Sequence, residues 1–119
     1  MPHLRLEHTI DISTNVTSDL FKQLVDILTK NTTIQSSNCK SRALKIKNHH
    51  IDLKQYDDFI HLDIMLLEGR NNDIRQKIGQ ESLDLLKDYF QKKSNDKIPQ
   101  ISIEIREINK NNYFTTNSI

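Results

Sequence analysis

The spacing of apolar residues changes from every second position to every third or fourth position and back again. This change occurs twice along the chain. Residues 3–7 alternate apolar and polar side chains, as a strand with one buried face does. Residues 18–30 carry apolar side chains three and four positions apart, which predicts an amphipathic helix capped by Thr17 or Ser18. Alternation returns at residues 41–46, so the first half of the chain is predicted to be strand, helix and strand.

The second half of the chain repeats this order. Residues 59–67 form the longest predicted strand, which Gly69 ends. A helix is predicted to begin at one of residues 71–73 and to run to about Lys92. Alternation over residues 100–108 predicts the last strand.

Two βαβ halves of similar length, residues 2–47 and 58–108, are therefore predicted within one domain that spans residues 1–119. In each half the helix links two parallel strands, because parallel strands need a crossover connection. The expected fold is α+β, a four-stranded mixed sheet with two helices on one face. We expect Tyr113 and Phe114 to anchor the polar tail, residues 109–119.

The third predicted strand has two apolar faces, although two helices can cover only one side of a sheet. One face carries Ile60, Leu62, Ile64 and Leu66, and the other carries Phe59, His61, Asp63, Met65 and Leu67. An apolar face without a helix needs another cover, and a second copy of the chain is the simplest one. We therefore expect an oligomer. The alternative is a strand that tolerates two exposed hydrophobic side chains.

Charge and cysteine content narrow the class of protein. The 17 basic and 16 acidic residues are intermixed and give a net charge of +1, so neither nucleic acid nor a membrane surface is an expected partner. The one cysteine, Cys39, cannot form an internal disulfide and has no His or Asp partner that would make it a nucleophile. The sequence shows no signal peptide and no long apolar segment, so a cytoplasmic location is expected.

Pro2 follows the initiator methionine at the start of the first predicted strand. Removal of Met1 would leave a secondary amine able to carry or accept a proton. A reference α-amino group has a pKa of about 7.7–8.0, and burial or a nearby cation disfavours its protonated form. Such an amine suits proton transfer at neutral pH. The structural alternative is a proline that simply begins a strand.

Three cations lie near the ends of predicted strands. Lys40 and Arg42 flank the start of the second strand, and Arg70 follows the third. The planar guanidinium group of arginine binds a carboxylate through two parallel hydrogen bonds, and a helix N-terminus beside Arg70 would also attract an anion. We interpret all three as candidate anion-binding residues. A solvated surface position is the alternative for each.

The histidines do not form a recognisable metal-binding pattern. His49 and His50 are adjacent in a predicted turn, and no His or Cys partner has the spacing of a zinc site. We interpret His61, which lies in a strand, as a hydrogen-bonded interior or interface group. His3 and His8 could only support residues that contact a ligand, without contacting the ligand themselves. No metal site is therefore predicted.

Six stretches of the sequence occur together in a recognisable order and spacing: Pro2-His3-Leu4, Ser41-Arg42, residues 61–70 (HLDIMLLEGR), Arg75-Gln76, residues 101–105 (ISIEI) and Phe114-x-x-Asn117. In this combination the chain resembles the 5-carboxymethyl-2-hydroxymuconate Δ-isomerase family of the tautomerase superfamily. The resemblance spans nearly the whole chain and rests on the combination of motifs.

The resemblance implies a homotrimer of βαβ-duplicated subunits whose sheets face inward. It implies isomerisation of 5-carboxymethyl-2-hydroxymuconate, an unsaturated hydroxy-tricarboxylate of homoprotocatechuate degradation, without cofactor or metal. The family's catalytic proline corresponds to Pro2, and one of its arginines to Arg70. Its other arginine corresponds to Lys40 or Arg42, because this chain has Lys-Ser-Arg where the family pattern is Arg-Ser-Arg. A lysine would make a point contact with a carboxylate in place of two parallel hydrogen bonds.

Two other functions remain open from the sequence. A different tautomerase-superfamily enzyme would act on a smaller keto or enol dicarboxylate, or decarboxylate a keto acid. A binding or assembly domain without activity would keep the same fold. Decay of dienol absorbance that depends on a free N-terminus separates an enzyme from a binding domain.

Overall fold

The computed structural model describes residues 2–91 and 98–116. Met1, Lys92 and Asn117 lie outside these residues, and with them the removal of Met1, the predicted end of the second helix and the last residue of the family-like ending. Within the described ranges, neither helix combines the length and apolar composition that crossing a bilayer requires.

The chain forms strand, helix and strand twice, in the predicted order. The first half contains β1 (His3–His8), α1 (Thr14–Asn31) and β2 (Lys40–Lys45). The second half contains β3 (Phe59–Leu67), α2 (Asn72–Phe90) and β4 (Gln100–Ile108). Two short 3-10 helices, Ser36–Asn38 and Lys110–Asn112, precede β2 and follow β4.

The four strands form one mixed sheet in the order β2-β1-β3-β4. The pairs β1–β2 and β3–β4 are parallel, whereas the central pair β1–β3 is antiparallel. The predicted α+β fold is confirmed. Because the central strands run in opposite directions, the start of β1 lies beside the end of β3. This arrangement brings Pro2 toward the residues that follow Leu67.

One side of the sheet packs against both helices. Leu4 and Leu6 of β1 and the even-numbered residues of β3 are at most 1% exposed, which confirms the face predicted to contact the helices. The helices add five buried side chains to the same cluster, Leu20, Leu24, Leu28, Ile78 and Leu86. This cluster fixes the position of both helices on the sheet.

The prediction that Thr17 or Ser18 caps the first helix is wrong. α1 begins at Thr14, and the Oγ atom of Ser13 accepts a hydrogen bond from Val16 N at 3.3 Å. A serine at this position satisfies a backbone N–H group that lacks a partner within the helix. Apolar spacing does not reveal the first turn, because most of its side chains are polar and none is buried.

Neither described helix covers the other side of the sheet, which we call the open face. It carries the odd-numbered residues of β3, of which Asp63 is buried and the others are half-buried. The tail passes near this face, where the ring of Tyr113 lies 5.9 Å from that of His3. Phe114 is 87% exposed in the single subunit. The anchoring prediction is therefore confirmed for Tyr113 and wrong for Phe114.

Candidate active site

Pro2 is buried at one end of the sheet and lines a cavity of about 540 Å³. Its carbonyl oxygen accepts a hydrogen bond from Lys40 N at 3.0 Å, which extends the pairing of β1 with β2 to this residue. The wall also includes Leu67, the last residue of the antiparallel strand β3, and Arg70, which lies in the turn after β3. Ile34 contributes from the segment before β2. The structure thus brings together two of the four predicted site residues, Pro2 and Arg70.

Arg70 is held by the turn that links β3 to α2. Gly69 has a φ of +121°, a conformation that other residues rarely adopt, so a glycine permits the reversal directly before Arg70. Arg70 Nη1 donates a hydrogen bond to Leu67 O at 2.9 Å. Arg75 donates to the carbonyl oxygen of Arg70 and pairs with Glu107 at 3.2 Å. The half-buried guanidinium group of Arg70 keeps further N–H donors for an anion.

Part of the cavity wall comes from the segment between α1 and β2. It contributes three uncharged side chains that can form hydrogen bonds, Thr33, Gln35 and Asn38. Thr32 shapes the segment, because its Oγ1 atom donates to Leu28 O at 2.7 Å and accepts from Ile34 N at 3.0 Å. These polar groups can hydrogen-bond to a ligand beside Pro2 without adding charge.

The sequence does not single out Gln35 and Asn38, which belong to the polar stretch between the first predicted helix and the second predicted strand. The topology supplies the missing signal. Because β2 runs parallel to β1, the chain leaving α1 must return to the start of β1, where Pro2 lies. The segment before β2 therefore lies beside Pro2 and contributes to its cavity.

Lys40 and Arg42 are placed elsewhere: within the described part of the chain, neither residue lines the cavity of Pro2. They lie on β2 opposite His3 and Arg5, so their side chains extend from the open face. Both are exposed, and β2 is an edge strand. One subunit therefore places Pro2 and Arg70 together and leaves the other two predicted cations directed outward.

His3 connects Arg42 to the C-terminal segment. Arg42 Nη1 lies 3.1 Å from His3 Nδ1, and His3 Nε2 lies 3.0 Å from the hydroxyl oxygen of Tyr113. Burial, followed by the positive charges of Arg42 and Lys40, lowers the pKa of His3 below its ordinary value. The imidazole ring is therefore neutral at pH 7.

Asp63 is the centre of an ionic network on the open face. Its carboxylate accepts hydrogen bonds from Arg5 Nη2 at 2.7 Å and from His61 Nε2 at 3.0 Å, and Arg106 Nε lies at 3.6 Å. Burial alone would raise the pKa of Asp63, but the hydrogen bonds from Arg5 and His61 together hold it below its ordinary value. Ser102 Oγ lies 2.6 Å from His61 Nδ1. The interpretation of His61 as a hydrogen-bonded group is confirmed.

The same network contains three possible metal-ligand atoms, from His61, Asp63 and Glu104, that lie within 4.8 Å of one another. A divalent cation at this point would face the guanidinium groups of Arg5 and Arg106, which already pair with Asp63. Like charges at this distance repel, so the set of groups suits an ion-pair network and does not fit a metal ion.

The sequence model of the family described as 5-carboxymethyl-2-hydroxymuconate isomerase matches residues 2–119. The chain belongs to this family. Membership supports a function of the isomerase or tautomerase type. No curated protein matches the sequence.

Solved structures share the fold. A 5-carboxymethyl-2-hydroxymuconate isomerase from Deinococcus radiodurans is 22% identical, with a TM-score of 0.82 over 98% of this chain and 90% of that chain. The protein Pt0534, inactivated by 2-oxo-3-pentynoate, is 12% identical, with a TM-score of 0.77 over 98% and 94% of the two chains. A fused 4-OT symmetric trimer is 10% identical, with a TM-score of 0.78 over 97% and 93%. These similarities establish the tautomerase fold.

Proposed function

We propose that this protein isomerises 5-carboxymethyl-2-hydroxymuconate in homoprotocatechuate degradation, with Pro2 as general base and acid once Met1 has been removed. The observation that carries the proposal is one cavity that contains both the buried Pro2 and the guanidinium group of Arg70. Membership of the isomerase family and the tautomerase fold support it. The proposed reaction needs neither a cofactor nor a metal.

In the proposed mechanism, neutral Pro2 takes the hydroxyl proton of the dienol and returns a proton to a carbon farther along the conjugated system. Negative charge gathers on the oxygen as the proton leaves, so a cation directed at that oxygen stabilises the transition state more than the ground state. Arg70 can also hold a carboxylate and so fix the carbon over the nitrogen. Burial and positive charge both disfavour a protonated amine, so the surroundings that bind the anion also favour the free base.

A tricarboxylate calls for more than one cation. We propose that Lys40 and Arg42 act at the cavity of a neighbouring subunit in a homotrimer. Both residues are exposed on an edge strand and extend from the open face, which no helix of the described subunit covers. The trimeric assembly of a fused 4-OT protein with this fold supports the arrangement.

An absorbance assay tests the proposal. Protein whose N-terminal proline has been verified by intact mass is expected to accelerate the loss of dienol absorbance. Pro2→Ala keeps an amine but makes it primary and mobile, and is expected to lower kcat by about 100-fold, a typical contribution of general acid–base catalysis. Pro99→Ala changes the other proline and serves as the control. Full activity of Pro2→Ala would remove Pro2 from the mechanism.

Two observations favour a second candidate, a tautomerase that acts on a smaller keto or enol dicarboxylate. Among the described residues that line the cavity of Pro2, Arg70 is the only cation. Lys40 also stands where the family pattern has arginine. The two candidates are separated by measuring kcat/KM side by side on 5-carboxymethyl-2-hydroxymuconate and on 2-hydroxymuconate. The larger value identifies the preferred substrate.

A further inference from the structure

We propose that His3 is a positioning residue, whose neutral imidazole ring holds the Arg42 guanidinium group toward the start of β1, the position from which it acts at the cavity of a neighbouring subunit. The inference rests on the proposed function, because it assigns Arg42 to one carboxylate of that substrate. It concerns a residue that touches no reacting atom and acts through Arg42.

The register of β1 and β2 shows what this contact does. Arg42 lies opposite Arg5, two positions farther along β2 than the residue opposite His3. The hydrogen bond from Arg42 Nη1 to His3 Nδ1, at 3.1 Å, draws the guanidinium group diagonally back toward the start of β1. It also directs this cation away from the like charge of Arg5, which is bound to Asp63 at 2.7 Å.

The same contact determines which nitrogen of His3 carries the proton. A guanidinium group can only donate hydrogen bonds, so Nδ1 of His3 must be the unprotonated, accepting nitrogen. The ring proton then lies on Nε2 and is donated to the hydroxyl oxygen of Tyr113 at 3.0 Å. The rings of His3 and Tyr113 also meet edge to face, with an interplanar angle of 66°. Tyr113 of the C-terminal segment therefore holds the His3 ring in the orientation that accepts the hydrogen bond from Arg42.

Protonation of His3 removes the acceptor at Nδ1 and adds a charge that repels Arg42. The charges that act on the ring are those of Lys40 and Arg42 of β2 and of the N-terminal amine. Tyr113 of the tail contacts the ring, and β3 places the uncharged Met65 opposite it. Burial and the two cations lower the pKa of His3, so the ring loses its neutral form only in acid. KM for a substrate held by Arg42 is therefore expected to rise as the pH falls.

Two variants of His3 and one control variant test the inference. His3→Phe keeps an aromatic ring and removes both nitrogens, whereas His3→Asn keeps an acceptor near the position of Nδ1. His50→Phe is the control, because His50 is exposed and bonds to Asp52 at 2.7 Å. Each is assayed on 5-carboxymethyl-2-hydroxymuconate and on phenylenolpyruvate, an enol with one carboxylate, after circular dichroism and native mass have verified fold and assembly.

We expect His3→Phe to raise KM for the tricarboxylate about tenfold, the factor that corresponds to losing a hydrogen bond to a charged group. Its KM for phenylenolpyruvate, which Arg70 can hold alone, is expected to stay close to that of the wild type. We expect His3→Asn to restore KM at pH 7 and to abolish the rise of KM in acid. The control variant is expected to match the wild type on both substrates.

Each other outcome overturns the inference. An unchanged KM in His3→Phe, an equal rise for both substrates, or a rise that His3→Asn does not reverse would show that His3 does not position Arg42. Nitrogen NMR of the wild-type ring gives a test that no folding defect can obscure, since a proton on Nδ1 at pH 7 is incompatible with the contact. A wild-type protein that converts neither enol overturns the proposed function first, and the inference with it.

Discussion

Arg70 has both its backbone and its side chain fixed at the cavity of Pro2, so it should meet a substrate carboxylate with little rearrangement. Arg70→Ala is expected to raise KM by a factor of about 10 to 100, because a hydrogen bond to a charged group contributes about 1.5–3 kcal/mol. Steady-state kinetics on the tricarboxylate measures the effect, and Lys87→Ala on the exposed surface of α2 is the matched control. Unchanged KM and kcat would refute this role for Arg70.

The contacts of Asp63 predict how the free energy of unfolding depends on pH. Its pKa in the folded protein lies below the ordinary value of about 3.9, so its charge stabilises the fold above that pH, and the stabilisation is lost as the pH falls further. Asp63→Asn is expected to lower the free energy of unfolding by about 2 kcal/mol at pH 7, less than for a fully buried pair because the Arg5 side chain is 34% exposed.

Urea unfolding of Asp63→Asn at pH 7 and pH 3, at one protein concentration, measures this difference. The loss of stability is expected to shrink at pH 3, because the carboxyl group of the unfolded chain, with an ordinary pKa of about 3.9, is largely protonated there and the charge of Asp63 favours folding less. Glu104→Gln, an exposed change on the same sheet face, is the control and should have a smaller effect. A loss of equal size at both pH values would show that the charge of Asp63 does not stabilise the fold.

At the scale of whole elements, hydrogen bonds of Tyr89 connect α2 to α1. Its hydroxyl group donates to Asp19 and accepts from Gln23 Nε2 at 2.8 Å. The hydrogen bond to Asp19, burial and the charge of that carboxylate raise the pKa of Tyr89 to about 12. This folded value lies above the ordinary value of about 10, so the stabilisation is complete below pH 10 and is lost as the pH rises toward 12.

Tyr89→Phe is therefore expected to lower the free energy of unfolding by about 1 kcal/mol at pH 7, the typical net value of a hydrogen bond. Tyr56→Phe, in the connection between the two halves, is the control. An absorbance titration of tyrosinate should lose its latest-ionising component in Tyr89→Phe and keep it in Tyr56→Phe. Ionisation of Tyr89 near pH 10 in the wild type would exclude the strong contact with Asp19.

For the whole molecule, the open face is the surface that the proposed homotrimer buries. Met65 is half-buried near the centre of this face. Met65→Asp is expected to convert the trimer to monomers and to abolish turnover of the tricarboxylate, because an acidic side chain would lose its water on assembly. Native mass spectrometry measures the change, with Lys87→Asp as the control. A fully active wild-type monomer would be incompatible with a site that needs Lys40 or Arg42 of another subunit.

The sequence was sufficient to predict those strands and helices whose apolar residues recur at a regular spacing. The bounds of β3 agree at both ends because its apolar run is flanked by Asp58 and Glu68. The start of α1 could not be predicted from spacing, because Ser13 acts through a hydrogen bond and the first turn buries no side chain. The sequence also could not show that Lys40 and Arg42 lie outside the cavity. The side of the sheet on which a residue of an edge strand lies depends on the register of that strand, here with β1.

The central claim is that the free imino nitrogen of Pro2, in a cavity lined by Arg70, carries the proton. Its most direct test compares the Met1-free protein with a variant in which one lysine is inserted between Met1 and Pro2, so that this nitrogen stays an amide. Intact mass verifies both N-termini, and the loss of dienol absorbance measures turnover. We predict that the extended protein is at least about 100-fold slower. Equal rates in the two proteins would contradict the account.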